Sequence, residues 1–330
     1  MPTKDSLKVS ISIIVCTYNR ADILKITMPF YLALKIPKGV TLEFIIIDNN
    51  SKDETKDYID GFIEKNKATI NLQYFFEPKQ GVSYARNTGY KHASGDYIGY
   101  LDDECILPEQ WLEVAFNTIA LNRPAFLGGP YYGRFLPDTT SAWCKESFGD
   151  GYIVEHNLPN GPMEGMYLSE GNMLVRRDVF DKIGLFDTEL GMTGRTISYG
   201  EGPDFQRRFI EEHSNEIIWY NPHFFVWHLI RNEKISITYR FKEALIRGAS
   251  AAELSKNSSW ALLLISPFLL IFFILKASLS ALRYFLISLY SKEHLFTLLH
   301  HDYKKKTWRD IGRAWYRTKL LPNKLLRMMR

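Results

Sequence analysis

The chain has 330 residues, 46% of them hydrophobic and 24% charged, which is globular composition with length for one large core or two modest ones. Three cysteines, Cys16, Cys105 and Cys144, are too few and too scattered for a disulfide framework or a zinc site and fit a reducing compartment. The net charge of +4 gathers at one end, where residues 291–330 hold eleven Lys or Arg against three acidic residues; the body before it is net acidic, which excludes nucleic-acid binding by charge. No basic segment with an apolar run and cleavage site opens the chain, so no secretory signal is expected.

Strand and helix patterns alternate over the first 105 residues. Val9–Cys16, Leu42–Asp48, Leu72–Phe76 and Tyr97–Leu101 are apolar runs of the kind buried in a parallel sheet. Between them, Ala21–Leu34, Lys52–Lys65 and Ser83–His92 read as helices, with Ser83 as a cap. The alternation predicts a parallel α/β sheet wound by right-handed crossovers, whose ligand lies beyond the carboxyl ends of the strands. Polar clusters stand at those ends: Thr17-Tyr18-Asn19-Arg20, Asp48-Asn49-Asn50-Ser51 and Asp102-Asp103-Glu104. Further on, Pro108–Asn122, Arg177–Ile183, Asp204–Glu212 and Ile237–Leu254 read as helices, and 128–165 as loops and short strands.

Three adjacent carboxylates at a strand end repel one another unless water or a cation neutralises them. A hard divalent ion with oxygen ligands would also keep sites for substrate phosphates; a solvated acidic turn is the plain alternative. Asp48 suits an N–H of a base or a ribose hydroxyl, or else an Asx-turn or helix cap. Arg86, early in a helix, suits a diphosphate or a surface ion pair.

Taken together, several short segments resemble a family 2 glycosyltransferase of the GT-A fold. They are Ile13 to Arg20, Ile46 to Ser51, Gly81 to Gly89, and Tyr100 to Glu104 with Pro108. Gly171-Asn172-Met173 with Arg176 and Arg177, Ile183 to Asp187, Gly200-Glu201 with Asp204, and Pro222 followed by His228 complete the set. The resemblance covers residues 9–250. It implies that Thr17 and Asp48 contact the nucleotide base, with Asn19 and Arg20 beside them. Arg86 would hold base or diphosphate, and Asp102 and Asp103 would lie at the ribose or the metal shell. Glu104 would bind Mn²⁺ or Mg²⁺ where the family usually has aspartate, with His228 as a further ligand in place of an ordinary core histidine. Gly171 and Asn172 would lie near the donor sugar. Glu201 or Asp204 would be the general base. Many relatives have an aspartate after the glutamate, and here that place is Gly202. Glu201 is preferred because it follows Gly200 on an expected loop, whereas Asp204 would cap the helix.

The implied reaction is an inverting transfer of a sugar from a nucleoside diphosphate sugar to an acceptor hydroxyl, in the synthesis of a cell-surface polysaccharide or a glycolipid. Sugar nucleotidyl transfer and a degenerate sugar-nucleotide-binding protein are the alternatives.

Trp260–Leu275 carries no charge, and after Lys276 the chain is again apolar to Tyr290 except for Arg283. A spanning helix needs about 20 apolar residues, and Ser266-Pro267 interrupts this stretch. A single span would also part a cytosolic body from the basic tail. The expectation is therefore a re-entrant hairpin or interfacial helices over 259–290, with the tail of 291–330 on anionic headgroups at the cytoplasmic face of the cell membrane. Burial of the same apolar face in a homodimer is the alternative. The expected organisation is a catalytic domain over 1–258, divided near residue 105, followed by these two segments. The expected partners are the donor, a glycan or lipid-linked acceptor and the membrane surface, with no nucleic acid.

Overall fold

The computed structural model describes residues 7–135, 158–192, 200–213, 215–231, 236–254, 260–290 and 307–328. In chain order the elements are β1 (Val9–Thr17), α1 (Ala21–Thr27), β2 (Val40–Asp48), α2 (Thr55–Asn66), β3 (Leu72–Phe76), α3 (Val82–His92), β4 (Tyr97–Asp102), β5 (Cys105–Ile106) and α4 (Trp111–Asn122). There follow β6 (Phe126–Gly128), β7 (Tyr131–Phe135), β8 (Gly161–Pro162), β9 (Asn172–Arg176), α5 (Asp178–Ile183), α6 (Glu201–Glu212), β10 (Ile218–Tyr220) and β11 (Val226–Ile230). Three helices close the chain: α7 (Ile237–Leu254), α8 (Trp260–Tyr290) and α9 (Thr307–Met328).

The chain divides into two compact units, and the first, Met1–Arg134 with Tyr152–Thr196 and Glu201–Leu229, holds the sheets. Among the described residues the main sheet has eight strands in the order β3-β2-β1-β4-β9-β6-β10-β8. The first four are parallel, as the apolar runs predict; β9 enters antiparallel between β4 and β6. Successive residues of β1 face opposite layers. Ile13 packs with Leu24, Phe44, Ile59 and Trp111, whereas Ile14 packs with Ile45, Ala85, Phe126 and Phe205. A strand covered on both faces favours apolar residues along its length, and a polar one within it needs a partner, as the buried Ser12 hydroxyl donates to Glu43 Oε1 at 2.5 Å; the remaining polar groups collect at the strand ends.

Register then lines those ends up. Thr17 lies opposite Asp48, and Cys16 opposite both Ile47 and Asp102. A small sheet of β5, β11 and β7 stands beside them and sets His228 opposite Cys105.

Several expectations need correction. The first helix stops at Thr27 and tightens into a 3₁₀ turn over Met28–Ala33, because Pro29 cannot donate to the preceding turn. Ser83 does not cap α3. Gly81 holds the cap position at φ 148° with no side-chain cap bond, and Ser83 Oγ donates to the Leu190 carbonyl at 2.7 Å. The helix expected from Asp204 begins at Glu201; Pro203 suits a first turn, where its missing N–H has no intrahelical partner to lose.

The second unit contains Ile230–Arg330. Helix α7 lies within it, packed on α9, so the sequence-based boundary at 258 falls inside this unit. Phe241 meets Trp308 at 4.2 Å between ring centroids. A Cβ on Gly248 would overlap the Arg309 backbone, and one on Gly312 the Leu245 backbone, so the helices cross with main chains in contact. Helix α8 is one continuous helix, where a hairpin or helix pair was expected; Pro267 lies inside it and deprives a single carbonyl of its partner. Leu264–Ile287 is long and apolar enough to cross a membrane, and 11% of its most apolar window is buried.

Candidate functional site

The ends of β1, β2 and β4 present the first group of expected residues. Asp48 accepts from the Ser51 amide at 2.9 Å and from the Tyr74 hydroxyl at 3.0 Å. The first bond reaches three residues on, one further than an Asx-turn; the second orients the other oxygen. Asn19 adopts φ 51°, accepts from the Lys52 amide at 2.7 Å and donates its own amide to Ser51 Oγ at 2.8 Å. Arg20 lies beside it, its amide donating to Thr55 Oγ1 at 3.1 Å. The Asn19 and Asp48 turns are thus tied together by Ser51 and Lys52.

Thr17 reaches across to the acidic cluster, its hydroxyl donating to Asp103 Oδ2 at 2.7 Å. Burial, and then the neighbouring Glu104, push the Asp103 carboxyl up to about 6 against that hydrogen bond. Asp102 ends β4 with its amide donating to the Gly171 carbonyl at 3.2 Å. A Cβ at position 171 would overlap the Asp102 carboxylate and the Tyr131 hydroxyl, so only glycine lets that carboxylate sit there. Asn172 is fully buried. Its amide accepts from Trp111 Nε1 at 3.0 Å and donates to the Phe224 carbonyl at 2.7 Å, which spends it on joining three segments.

Glu104 and His228 come together across β5 and β11, with His228 Nε2 3.1 Å from Glu104 Oε1. The other ring nitrogen, Nδ1, is buried with no hydrogen-bond partner among the described residues. The facing Glu104 Oε1 and His228 Nε2 are an oxygen and a nitrogen donor of the kind a divalent cation takes. Among the described residues no three His, Cys, Asp or Glu side chains converge as a metal cage. Any ion held by this pair would take its remaining ligands from water and from substrate oxygens.

A second charged group lies within electrostatic reach of Asp102. Arg86 of α3 pairs with Glu201 of α6, Nη1 to Oε1 at 2.9 Å, and both side chains are about nine-tenths buried. Burial opposes the guanidinium's charge, but Glu201 and then Glu170 more than offset it and hold its pKa above the ordinary value. Glu170, on the turn before β9, is half-buried. Burial first, and the charge of Glu201 second, push its carboxyl up to about 8 against the pull of Arg86.

Asp204 is placed differently. Arg207 donates to its Oδ1 at 2.6 Å and Arg208 to its Oδ2 at 3.0 Å, so both oxygens are committed within α6. The structure therefore brings Arg86 and Glu201 together, brings Glu104 and His228 together, and leaves Asp204 in a helix ion-pair ladder. The residue that sequence reasoning missed is Glu170. A lone glutamate between Ser169 and Gly171 has no periodic or motif signal, and the absence of a side chain at 202 was its only trace.

Residues 12–184, just over half of the chain, match the glycosyl transferase family 2 model. The chain belongs to glycosyl transferase family 2. It is 29% identical over 181 residues to glycosyltransferase AglE of Haloferax volcanii, covering 54% of this chain and 57% of that one. It is 26% identical over 249 residues to the succinoglycan biosynthesis protein ExoM of Rhizobium meliloti, covering 74% of this chain and 75% of that one. The mannosyltransferase PcManGT of Pyrobaculum calidifontis, solved with GDP-Man and Mn²⁺, aligns at a TM-score of 0.56 and 12% identity over 99% of this chain and 82% of that one. That likeness shows the GT-A fold.

Proposed function

We propose that this protein is an inverting glycosyltransferase that moves a sugar from a nucleoside diphosphate sugar to an acceptor hydroxyl, in the synthesis of a cell-surface polysaccharide or a glycolipid. The observation that carries the reading is the buried Arg86–Glu201 pair, set beside Asp102 at the carboxyl edge of a GT-A sheet. Thr17, Asp48, Asn19 and Arg20 form the rim for the nucleotide. Glu104 and His228 would hold Mn²⁺ or Mg²⁺, with Asp102 and Asp103 in the surrounding shell. Such an ion, when bound, supplies positive charge to the leaving diphosphate. Gly171 gives Asp102 its place, and Asn172 fixes the start of β9 behind it.

Glu201 is the better base of the two expected. Both oxygens of Asp204 are taken by arginines, whereas among the described residues Glu201 pairs with Arg86 through one oxygen. Bound diphosphate would compete for Arg86 and so free Glu201 as the acceptor arrives. The acceptor oxygen then attacks the anomeric carbon from the face opposite the diphosphate, and its proton passes to the carboxylate.

The second unit supports a place of action. The outward side chains of α8 and the basic residues of α9 suit attachment to the cytoplasmic face of the cell membrane, near a lipid-linked acceptor. Packing of α8 against a second copy is the competing use of the same face.

The test is to incubate the full chain with a panel of nucleoside diphosphate sugars, GDP-mannose among them, with Mn²⁺ or Mg²⁺. Release of nucleoside diphosphate with the sugar is expected; cleavage within the diphosphate, giving a sugar 1-phosphate, would mean nucleotidyl transfer instead. Glu201→Gln is expected to lower kcat about 10²–10⁴-fold with donor binding kept. The same loss in Asp204→Asn, with Glu201→Gln active, would move the base to Asp204.

A further inference from the structure

Gly202 lies in the first turn of α6 and has no backbone reason to be glycine. Its φ is not positive, and glycine inside a helix is less favourable than alanine. What explains it is its neighbour. A Cβ built on Gly202 would coincide with Oε1 of Glu170, and the rest of that carboxyl would lie within overlap distance. The carboxyl of Glu170 therefore occupies the volume that a side chain at 202 would fill, next to Glu201 in sequence and in space.

Among the described residues, Arg86 of α3, Glu201 of α6 and Asp102 of β4 act on Glu170, and Arg86 contacts Glu201 directly. One guanidinium faces two carboxyls, and burial with the charge of Glu201 pushes the Glu170 carboxyl up, so the two carboxyls hold one proton between them and one carboxylate stays open to a second.

We propose that Glu170 is a second proton-handling carboxyl of the transfer site, acting with Glu201 as one unit on the acceptor hydroxyl. The inference rests on the glycosyl-transfer reading of the same site. In the step, the acceptor oxygen bonds to the anomeric carbon, and the bond from that carbon to the diphosphate oxygen breaks. The electron pair leaves with the nucleoside diphosphate, and the hydroxyl proton goes to the Glu201–Glu170 pair.

The experiment uses the full chain with GDP-mannose and a panel of UDP-sugars, reading kcat and donor KM for hydrolysis, with circular dichroism as a check on folding. Glu170→Gln is expected to lower kcat about tenfold to 10²-fold with donor KM nearly unchanged. The double variant Glu170→Gln with Glu201→Gln should be no slower than Glu201→Gln alone, as for groups that act as a unit. Adding Gly202→Asp to Glu170→Ala, which returns a carboxyl to the same volume from the opposite side, should recover much of the loss. Wild-type kcat in Glu170→Gln, or a fall matched by a rise in donor KM, would overturn the inference while leaving glycosyl transfer in place. Should Glu170→Gln not fold, Gly202→Ala, which pushes the carboxyl aside, decides in its stead: a loss of kcat supports the inference, and full kcat overturns it. A wild-type chain that turns over no donor would fail the underlying reading, and the inference with it.

Discussion

The two units of this chain treat apolar surface in opposite ways. In the first, Ile13, Ile46, Phe44 and Phe205 are wholly buried, and polar side chains gather where the strands run out. In the second, Phe268 and Leu279 of α8 are 73% and 68% exposed. Burying one such side chain is worth about 1.5–3 kcal/mol, and α8 leaves a row of them outside. The first unit is arranged around a site; the second is arranged around a surface.

That division can be tested from both sides. The largest effect is expected at the site: Glu104→Ala should cut turnover of a nucleotide sugar about 10³-fold, since a bound ion contributes several kcal/mol to a charged transition state. Binding to vesicles should not change. Full activity of the variant in EDTA would end the assignment of Glu104 to a metal.

The reciprocal test is the pair Phe268→Glu and Leu279→Glu on α8. It should weaken sedimentation with anionic vesicles about 10²-fold and leave donor hydrolysis untouched. Full-length protein that stays soluble as a dimer, and dissociates in the double variant, would assign the face to a second copy.

The smallest expected effect sharpens the comparison from within the first unit. Asn172→Ala removes partners from Trp111 Nε1 and the Phe224 carbonyl, both buried, and should cost about 2–3 kcal/mol of stability in a denaturant melt. If the melt is unchanged while kcat falls, Asn172 works on substrate and not on the frame.

The strands were legible because burial on both faces writes itself as short, mostly apolar runs rich in β-branched and aromatic residues; the bounds Leu72–Phe76 and Ile237–Leu254 follow from sequence pattern alone. The carboxyl-end rule then found Thr17, Asp48 and Asp102 in one row. What escaped was decided by partners distant in sequence. Ser83 has good capping chemistry, yet the Leu190 carbonyl takes its hydroxyl. Pro203 signalled a helix start near Glu201, but the carboxylate of Asp204 drew the boundary forward. Glu170 meets Gly202 only because β9 and α6 adjoin, and no local pattern announces such a meeting. Pro267 read as a break, although one missing N–H near the start of a long helix leaves the rest of its ladder intact.

The crossing of α7 and α9 at Gly248 and Gly312 has a mechanical meaning. Helices of 18 and 22 residues extend about 27 and 33 Å at 1.5 Å per residue, and main-chain contact at the crossing makes that point a fulcrum. A methyl group there would act as a wedge under two long arms, and the displacement would grow toward their tips. Two hydrogen atoms in place of two side chains thus set the angle at which an entire helical pair is held.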